Sequence, residues 1–401
     1  MEAPHVLIDH SRRGPQVRED NLGEKRNREK RRESPVKKEI YIVAAALVIQ
    51  ATGADTKADA IWAETLSFNG DLRVRHEWID AEGKKARQRS RLRARLGAEA
   101  RVNDTVNVEF RLASGSDDPV SGNQTFDEGF STKDIRLDRA VVRWTPNEGS
   151  TTLSAGKMAL PFVRVNDLVW DGDLNPEGFA VTRTSGEDVV LTLNGAVLWA
   201  EERPSDHDTI LFGGQAAVQV SSLTLGVSVF AWDNMEGFAP LFDATDGFGN
   251  STVDASAGRV DATGAPLDED LRYATGFMQI EALAKVTIGN GEVHANVIVN
   301  DDADSEDTAF LVGFKVGKTK EPGSVALVYD YREVEKDAVV GVYSDSDSFG
   351  GGTDGRGHRL KLKYQINKNW QGSFVYYLQE SGVSENSRDY DRAQVNLIAS
   401  F

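Results

Sequence analysis

From Arg87 to Arg95 every second residue is an arginine, while the alternate positions Leu92, Ala94, Leu96, Ala98, Ala100 and Val102 are apolar. Period two belongs to a β-strand, whose successive side chains point to opposite faces. A face of five like charges cannot enter an ordinary apolar core without a large desolvation cost. Facing lipid near the midplane of a bilayer, each arginine would cost roughly 2–4 kcal/mol. The ladder therefore needs water, and its apolar side needs a dry environment. A solvated face on an ordinary sheet meets the same two demands and is the plainer alternative.

The rest of the chain decides between them. Alternation recurs over segments of about 10 residues, the length a tilted strand needs to cross a bilayer. Ahead of the ladder, Leu66, Phe68, Gly70, Leu72, Val74, His76 and Trp78 share one face, opposite Asp71, Arg73, Arg75 and Glu77. After a turn at Asn103-Asp104, Val106, Val108, Phe110 and Leu112 alternate again. Further strands are expected at 134–145, 150–158, 178–184, 188–199, 209–220, 222–232, 271–288, 292–300, 308–317, 323–333, 356–366, 369–379 and 390–401. Hairpin turns at Asn103-Asp104, Ser221-Ser222, Gly289-Asn290-Gly291 and Asn367-Lys368-Asn369 alternate with long stretches at 114–132, 159–177, 233–270 and 334–355. Loops segregated by parity imply a structure with two unlike rims. Trp78, Trp144, Trp199, Trp232 and Trp370 fall at or near strand ends, where an aromatic girdle would meet lipid headgroups. The expected fold is all-β: a transmembrane antiparallel β-barrel of about 16 strands, with short periplasmic turns and long extracellular loops.

Composition narrows the function classes. The mean hydropathy is -0.41, and only Ile40–Ile49 approaches an apolar span, too short for a membrane helix. Without cysteine there are no disulfides, thiolate metal sites or cysteine nucleophiles. A net charge of -17 argues against a nucleic-acid partner. Residues 1–35, with a basic cluster at Lys25–Arg32, read as a mis-called start or a disordered tail. Residues 36–60 read as a signal peptide: Lys37-Lys38, an apolar stretch at Ile40–Ile49, and an Ala58-Asp59-Ala60 cleavage pattern, with Val36 as the expected true start. The mature chain, 61–401, then keeps 34 basic and 53 acidic residues, a net of -19.

The chain closes on Tyr390–Phe401, in which Ala393, Val395, Leu397, Ala399 and Phe401 share a face opposite Arg392, Gln394 and Asn396. A terminal Phe on an amphipathic strand resembles the signal that outer-membrane proteins present to the barrel-assembly machinery. Arg89–Gly115, Leu137–Pro146, Gly156–Phe162 and Asp167–Gly178 resemble the putative-porin family of Gram-negative bacteria. That resemblance implies a 16-stranded, trimeric porin of the outer membrane, in contact with lipid and lipopolysaccharide. It assigns no solute.

The functional expectation is a water-filled channel for passive diffusion of small hydrophilic solutes and ions, without cofactor, metal or catalysis. Arg73, Arg75, Arg89, Arg91, Arg93 and Arg95 are expected to form a basic pore wall, widened by Arg359, Lys361, Lys363 and Arg392. In general porins the third external loop folds inward to narrow the channel. By parity that loop is 159–177, so Asp167, Asp171, Asp173 and, just beyond, Glu177 are expected constriction acids facing the arginines. Asp-Gly-Asp and Asn-Pro are also ordinary turn chemistry. Nine acids at 233–270, with Asp301, Asp302, Asp304, Asp345 and Asp347, are expected to make an acidic outer mouth. The nearer arginines outweigh it, giving an anion lean, because charges beyond about 8–10 Å are screened. The competing reading is an exported β-rich adhesin or carbohydrate-binding protein. Catalytic alternatives lack support. Gly350–Gly355 matches a dinucleotide fingerprint only by letter, and Arg356 stands where a calcium loop beginning at Asp345 needs Glu.

Overall fold

The computed structural model describes residues 65–146, 149–259, 265 and 267–401. The expected tail, start and signal peptide at 1–60 lie outside them. Nineteen strands follow in order: β1 (Leu66–Ala81), β2 (Arg87–Arg101), β3 (Val106–Ser114), β4 (Gln124–Thr125), β5 (Ile135–Trp144), β6 (Thr151–Lys157), β7 (Glu177–Ser185), β8 (Val189–Glu201), β9 (Thr209–Val220) and β10 (Leu223–Trp232). They continue as β11 (Thr252–Asp254), β12 (Leu271–Tyr273), β13 (Phe277–Ile288), β14 (Gly291–Asn300), β15 (Thr308–Gly317), β16 (Val325–Val334), β17 (Gly355–Gln365), β18 (Trp370–Ser381) and β19 (Arg388–Ser400). Sixteen of them form one closed antiparallel barrel, each paired with its sequence neighbours. The other three, β4, β11 and β12, are short loop strands.

Closure runs through β1 and β19, paired from Asp71↔Ser400 to Ala81↔Tyr390. Beyond the last pair, Gly70 and Phe401 exchange two backbone hydrogen bonds of 3.1 Å each. Closure leaves no barrel edge unpaired, which lipid demands because it offers no hydrogen bonds.

The burial pattern is inverted relative to a soluble sheet. Along β1, Leu72 and Val74 are exposed, whereas Arg75 and Glu77 are buried, Glu77 at 0% exposure. On β10, Val227 and Val229 face out and Ser228 and Phe230 face in. Such an apolar exterior is stable in lipid and would not be in water.

The connections at one rim (102–105, 145–150, 186–188, 221–222, 289–290, 318–324, 366–369) are never longer than seven residues. The long ones, 115–134, 158–176, 233–276 and 335–354, all lie at the other rim. The stretch expected as one strand at 271–288 is instead divided. Leu271–Tyr273 pairs with β11 in the loop, and the barrel strand starts at Phe277. Between them lies Gly276, where a Cβ would sit 2.7 Å from the Asp302 carboxylate, and Asn300 donates to its carbonyl.

Tryptophan positions need a second correction. Trp144, Trp199 and Trp370 are exposed on the outer wall, but Trp232 is 9% exposed and faces inward. A strand end sets depth, while parity sets the face, and Trp232 shares its parity with Ser228 and Phe230.

Candidate functional site

The barrel interior is built from two unlike walls. On β1 and β2 the cross-strand pairs set charges side by side: Asp71↔Arg95, Arg73↔Arg93, Arg75↔Arg91 and Glu77↔Arg89. Like charges directly opposite are destabilising, so Arg73↔Arg93 and Arg75↔Arg91 need counter-charges from elsewhere. The facing wall carries a chain of hydrogen-bonded amides and a hydroxyl that meets at one buried carboxylate, Glu281. Asn194 donates to Gln215 (3.0 Å), Gln215 to Ser228 (2.9 Å), and Ser228 and Asn296 to Glu281 (2.6 and 2.9 Å). This chain crosses β8, β9, β10, β13 and β14.

Residues 158–176 span the interior between these walls. Their first anchor is Phe162, whose ring fills the space a side chain would occupy at Gly213; a Cβ there would lie 2.3 Å from it. Gln215 clamps the next backbone unit, accepting from Val163 N (2.6 Å) and donating to Val163 O (2.9 Å). Phe162 and Trp170 both meet Phe230 edge-on, at 4.9 and 5.2 Å between ring centres. Trp232 stacks on Tyr343 at 5.7 Å. An apolar core therefore sits inside the barrel, made from the 158–176 and 335–354 loops against inward strand residues.

The loop acids are aimed at the arginines. Asp167 accepts from Arg332 (2.7 Å) and Arg359 (2.6 Å), far across the barrel on β16 and β17. Asp173 returns to the ladder, accepting from Arg93 at 2.9 and 3.1 Å and from Arg95 at 3.3 Å. Asp171 accepts from the Ser346 backbone N–H (3.1 Å). Burial first, then the neighbouring Asp345 carboxylate, push the Asp171 carboxyl up to about 8. Glu177 is the first residue of β7 and is held by Lys157 at 3.0 Å. It shares a cavity of about 410 Å³ with Arg93, Arg95, Arg111 and Asp173.

Asp345 and Asp347 do not lie at an outer mouth. Their loop turns into the barrel, where Asp345 meets Arg332 (3.0 Å) and Asp347 meets Arg75 (2.9 Å) and Arg392 (2.8 Å). Burial alone would raise the Asp347 carboxyl, but Arg392 and Arg75 hold it well below the usual range. Proximity in sequence to other acids could not reveal this for Asp347, whose partners Arg75 and Arg392 are 272 and 45 positions away.

Sequence reading also missed Asp138. A register shift between Arg111 and Leu112 leaves Asp138 as an extra residue on β5 and turns it inward, onto Arg111 and Asn175. A bulge of this kind re-aims a side chain against the period-2 pattern. Glu109 bridges Arg139 (3.1 Å) and Arg143 (2.5 Å) beside it. Among the described residues, Arg73, Lys361 and Lys363 face inward with no carboxylate within 4.0 Å, and Arg73 bonds only Asn123 (2.7 Å).

An interior of this kind, polar and charged within a sheath of apolar side chains, defines an outer-membrane channel protein. The putative-porin family model matches residues 78–240 and 250–401, and the chain belongs to that family. It is an outer-membrane porin of the Gram-negative type. No curated protein matches the sequence. Among solved structures, OprB of Pseudomonas putida aligns with a TM-score of 0.51 at 11% identity, covering 86% of this chain and 96% of that one. OmpT of Vibrio cholerae gives 0.48 at 12% identity (84% and 97% covered), and a triple mutant of the Rhodopseudomonas blastica porin gives 0.49 at 12% (84% and 100%).

Proposed function

We propose that this porin passes small hydrophilic solutes with a preference for anions, through a constriction bounded by the β1–β2 arginine wall and the inward loops. Asp167, Asp171 and Asp173 are the loop acids of that constriction, and Arg73, Arg75, Arg89, Arg91, Arg93 and Arg95 are its basic side. The observation that carries the reading is uneven neutralisation of the wall. Arg93 and Arg95 share two carboxylates, Asp71 and Asp173. Arg75, Arg89, Arg91 and Arg392 also share only two, Glu77 and Asp347, and Arg73 has none. The surplus is positive, inside a low-dielectric sheath that focuses its field. The acidic outer loops lie further away, where salt screens them. In the membrane the porin is proposed to be a homotrimer, inserted by the barrel-assembly machinery through the strand ending at Phe401.

The test is the reversal potential of residues 61–401 in a planar bilayer across a potassium chloride gradient. The sign expected is that of chloride preference. Arg73→Ala with Arg91→Ala should reduce the preference, and Arg93→Ala with Arg95→Ala should reduce it further, since the latter pair also unmasks Asp71 and Asp173. Cation preference in the unaltered protein would refute the anion reading, and absence of conductance from a folded barrel would refute the open channel.

A further inference from the structure

From Arg359, which holds Asp167 of the inner loop, β17 runs on toward the short-turn rim. Its next two inward side chains, Lys361 and Lys363, make no hydrogen bond or ion pair among the described residues. The nearest carboxylate up this wall, Asp330, is already held by Arg332 and Arg359. Lys315 on β15, two strands away through the register Lys315↔Val328↔Lys361, adds a third inward cation. Its cross-strand neighbour Glu292 stands 3.9 Å from His294 and forms no ion pair with a lysine. On the other side of β17, Ser373 of β18 is the register partner of Lys363 and shares its inner face. Ser373 ends a one-way hydrogen-bond chain. Arg75 Nε donates to Asn396 Oδ1 (2.7 Å), and Asn396 Nδ2 donates to Ser373 Oγ (3.2 Å). The Ser373 hydroxyl keeps its own proton to give, and among the described residues it meets no acceptor.

We infer that Lys361, Lys363 and Ser373 form a binding site for a tetrahedral oxyanion, the phosphate or sulfate group of a small solute. This rests on the porin reading and adds a solute class to it. The three positions are close enough to hold one such group. Lys363 and Ser373 are direct cross-strand partners, about 5 Å apart at Cβ, and Lys361 lies about 7–8 Å from each along the strand or the diagonal. Every group they offer is a donor: two ammonium ions and an O–H polarised by a guanidinium two links behind it. Three donors around a triangle match the three free oxygens of a phosphate ester or a sulfate. A carboxylate has two oxygens in one plane and suits a guanidinium fork, a preference that ammonium point charges lack. Lys315 strengthens the local field without having to touch the solute.

The experiment follows single-channel potassium chloride current while sulfate or glycerol 3-phosphate is added on the short-turn side. Each should reduce the current saturably, and acetate at equal ionic strength should not; the tighter blocker identifies the group the site takes. Lys361→Gln with Lys363→Gln should raise the half-blocking concentration about tenfold or more, and Ser373→Ala, which keeps every charge, about threefold. Lys84→Gln with Lys85→Gln, in the connection at the opposite rim, should leave it unchanged. If the Lys361 and Lys363 variant fails to give heat-modifiable barrels, Ser373→Ala decides alone. Potassium chloride conductance without saturable block, equal block by acetate, equal sensitivity to the Lys84 and Lys85 substitutions, or block indifferent to Ser373→Ala would overturn the site while leaving the porin intact. Loss of potassium chloride conductance in the unaltered protein would instead overturn the channel reading beneath it.

Discussion

Two residues fix where the inner loop sits. Gly213 lacks the side chain that would collide with Phe162, and Gln215, two positions on and on the same face, holds the Val163 backbone by two hydrogen bonds. Neither stands out in sequence, because a glycine and a glutamine in a strand read as weak packing and wall polarity. Gly213→Leu should expel the Phe162 ring, and Phe162→Ala should weaken loop docking by about 3–5 kcal/mol. Both variants are expected to keep heat-modifiable barrels and to show larger single-channel conductance. Unchanged conductance in both would mean that the loop keeps its place without this anchor. The ladder arginines, by contrast, were legible at once, since charge at every second position admits few solutions.

At the scale of the loops, 158–176 and 335–354 act as one inserted layer. Asp171 N–H donates to Tyr343 O, Ser346 N–H donates to the Asp171 carboxylate, and Asp167 and Asp345 share Arg332 and Arg359. Around Asp171 stand Asp345 and Asp173 as carboxylates and Arg164, which donates to the Asp171 carbonyl. With its carboxyl pushed up to about 8, Asp171 binds more proton in the docked state than in the unfolded chain between pH 3.8 and about 8. Docking therefore weakens as pH rises through that window, and the loss is complete above about 8. Open-channel current noise should increase between pH 6 and pH 9 in the unaltered protein and stay flat in Asp171→Asn. Equal noise at both pH values in the unaltered protein would show that Asp171 does not titrate there. The parity of turns and loops predicted that such a layer would come from 159–177. Nothing in the sequence marked 335–354 as its partner, because Asp345 and Asp347 look like solvated acids until the loop turns inward onto Arg332 and meets Arg75 and Arg392 on β1 and β19.

The whole barrel is held by complete hydrogen bonding around its circumference and by an apolar exterior matched to lipid. A charge placed on that exterior is expensive, whereas the same charge one residue along meets water. Val227→Arg, near the middle of β10 and exposed on the outer face, should destabilise the barrel by about 2–4 kcal/mol in lipid, read from urea unfolding in vesicles. A cost near zero would indicate that this face is not at the bilayer midplane. The same parity explains Trp232. Its position at a strand end is a fact of sequence, but its inward face joins it to Tyr343 and not to headgroups.

Period two and the spacing of turns determined, from sequence alone, a closed barrel, its strand number, the two rims and which face of each strand meets water. Those are local properties, repeated in every hairpin, and the bilayer enforces them strand by strand. Tertiary structure decided which arginines are neutralised and which are left over, because a cation on β1, Arg75, meets Asp347 through a loop folded in from 272 residues away. It also decided the exceptions to alternation, Asp138 at its bulge and Asp347 on its inward loop. Selectivity is set by the difference between charges that cancel and charges that do not, and that difference exists only once the chain has closed upon itself.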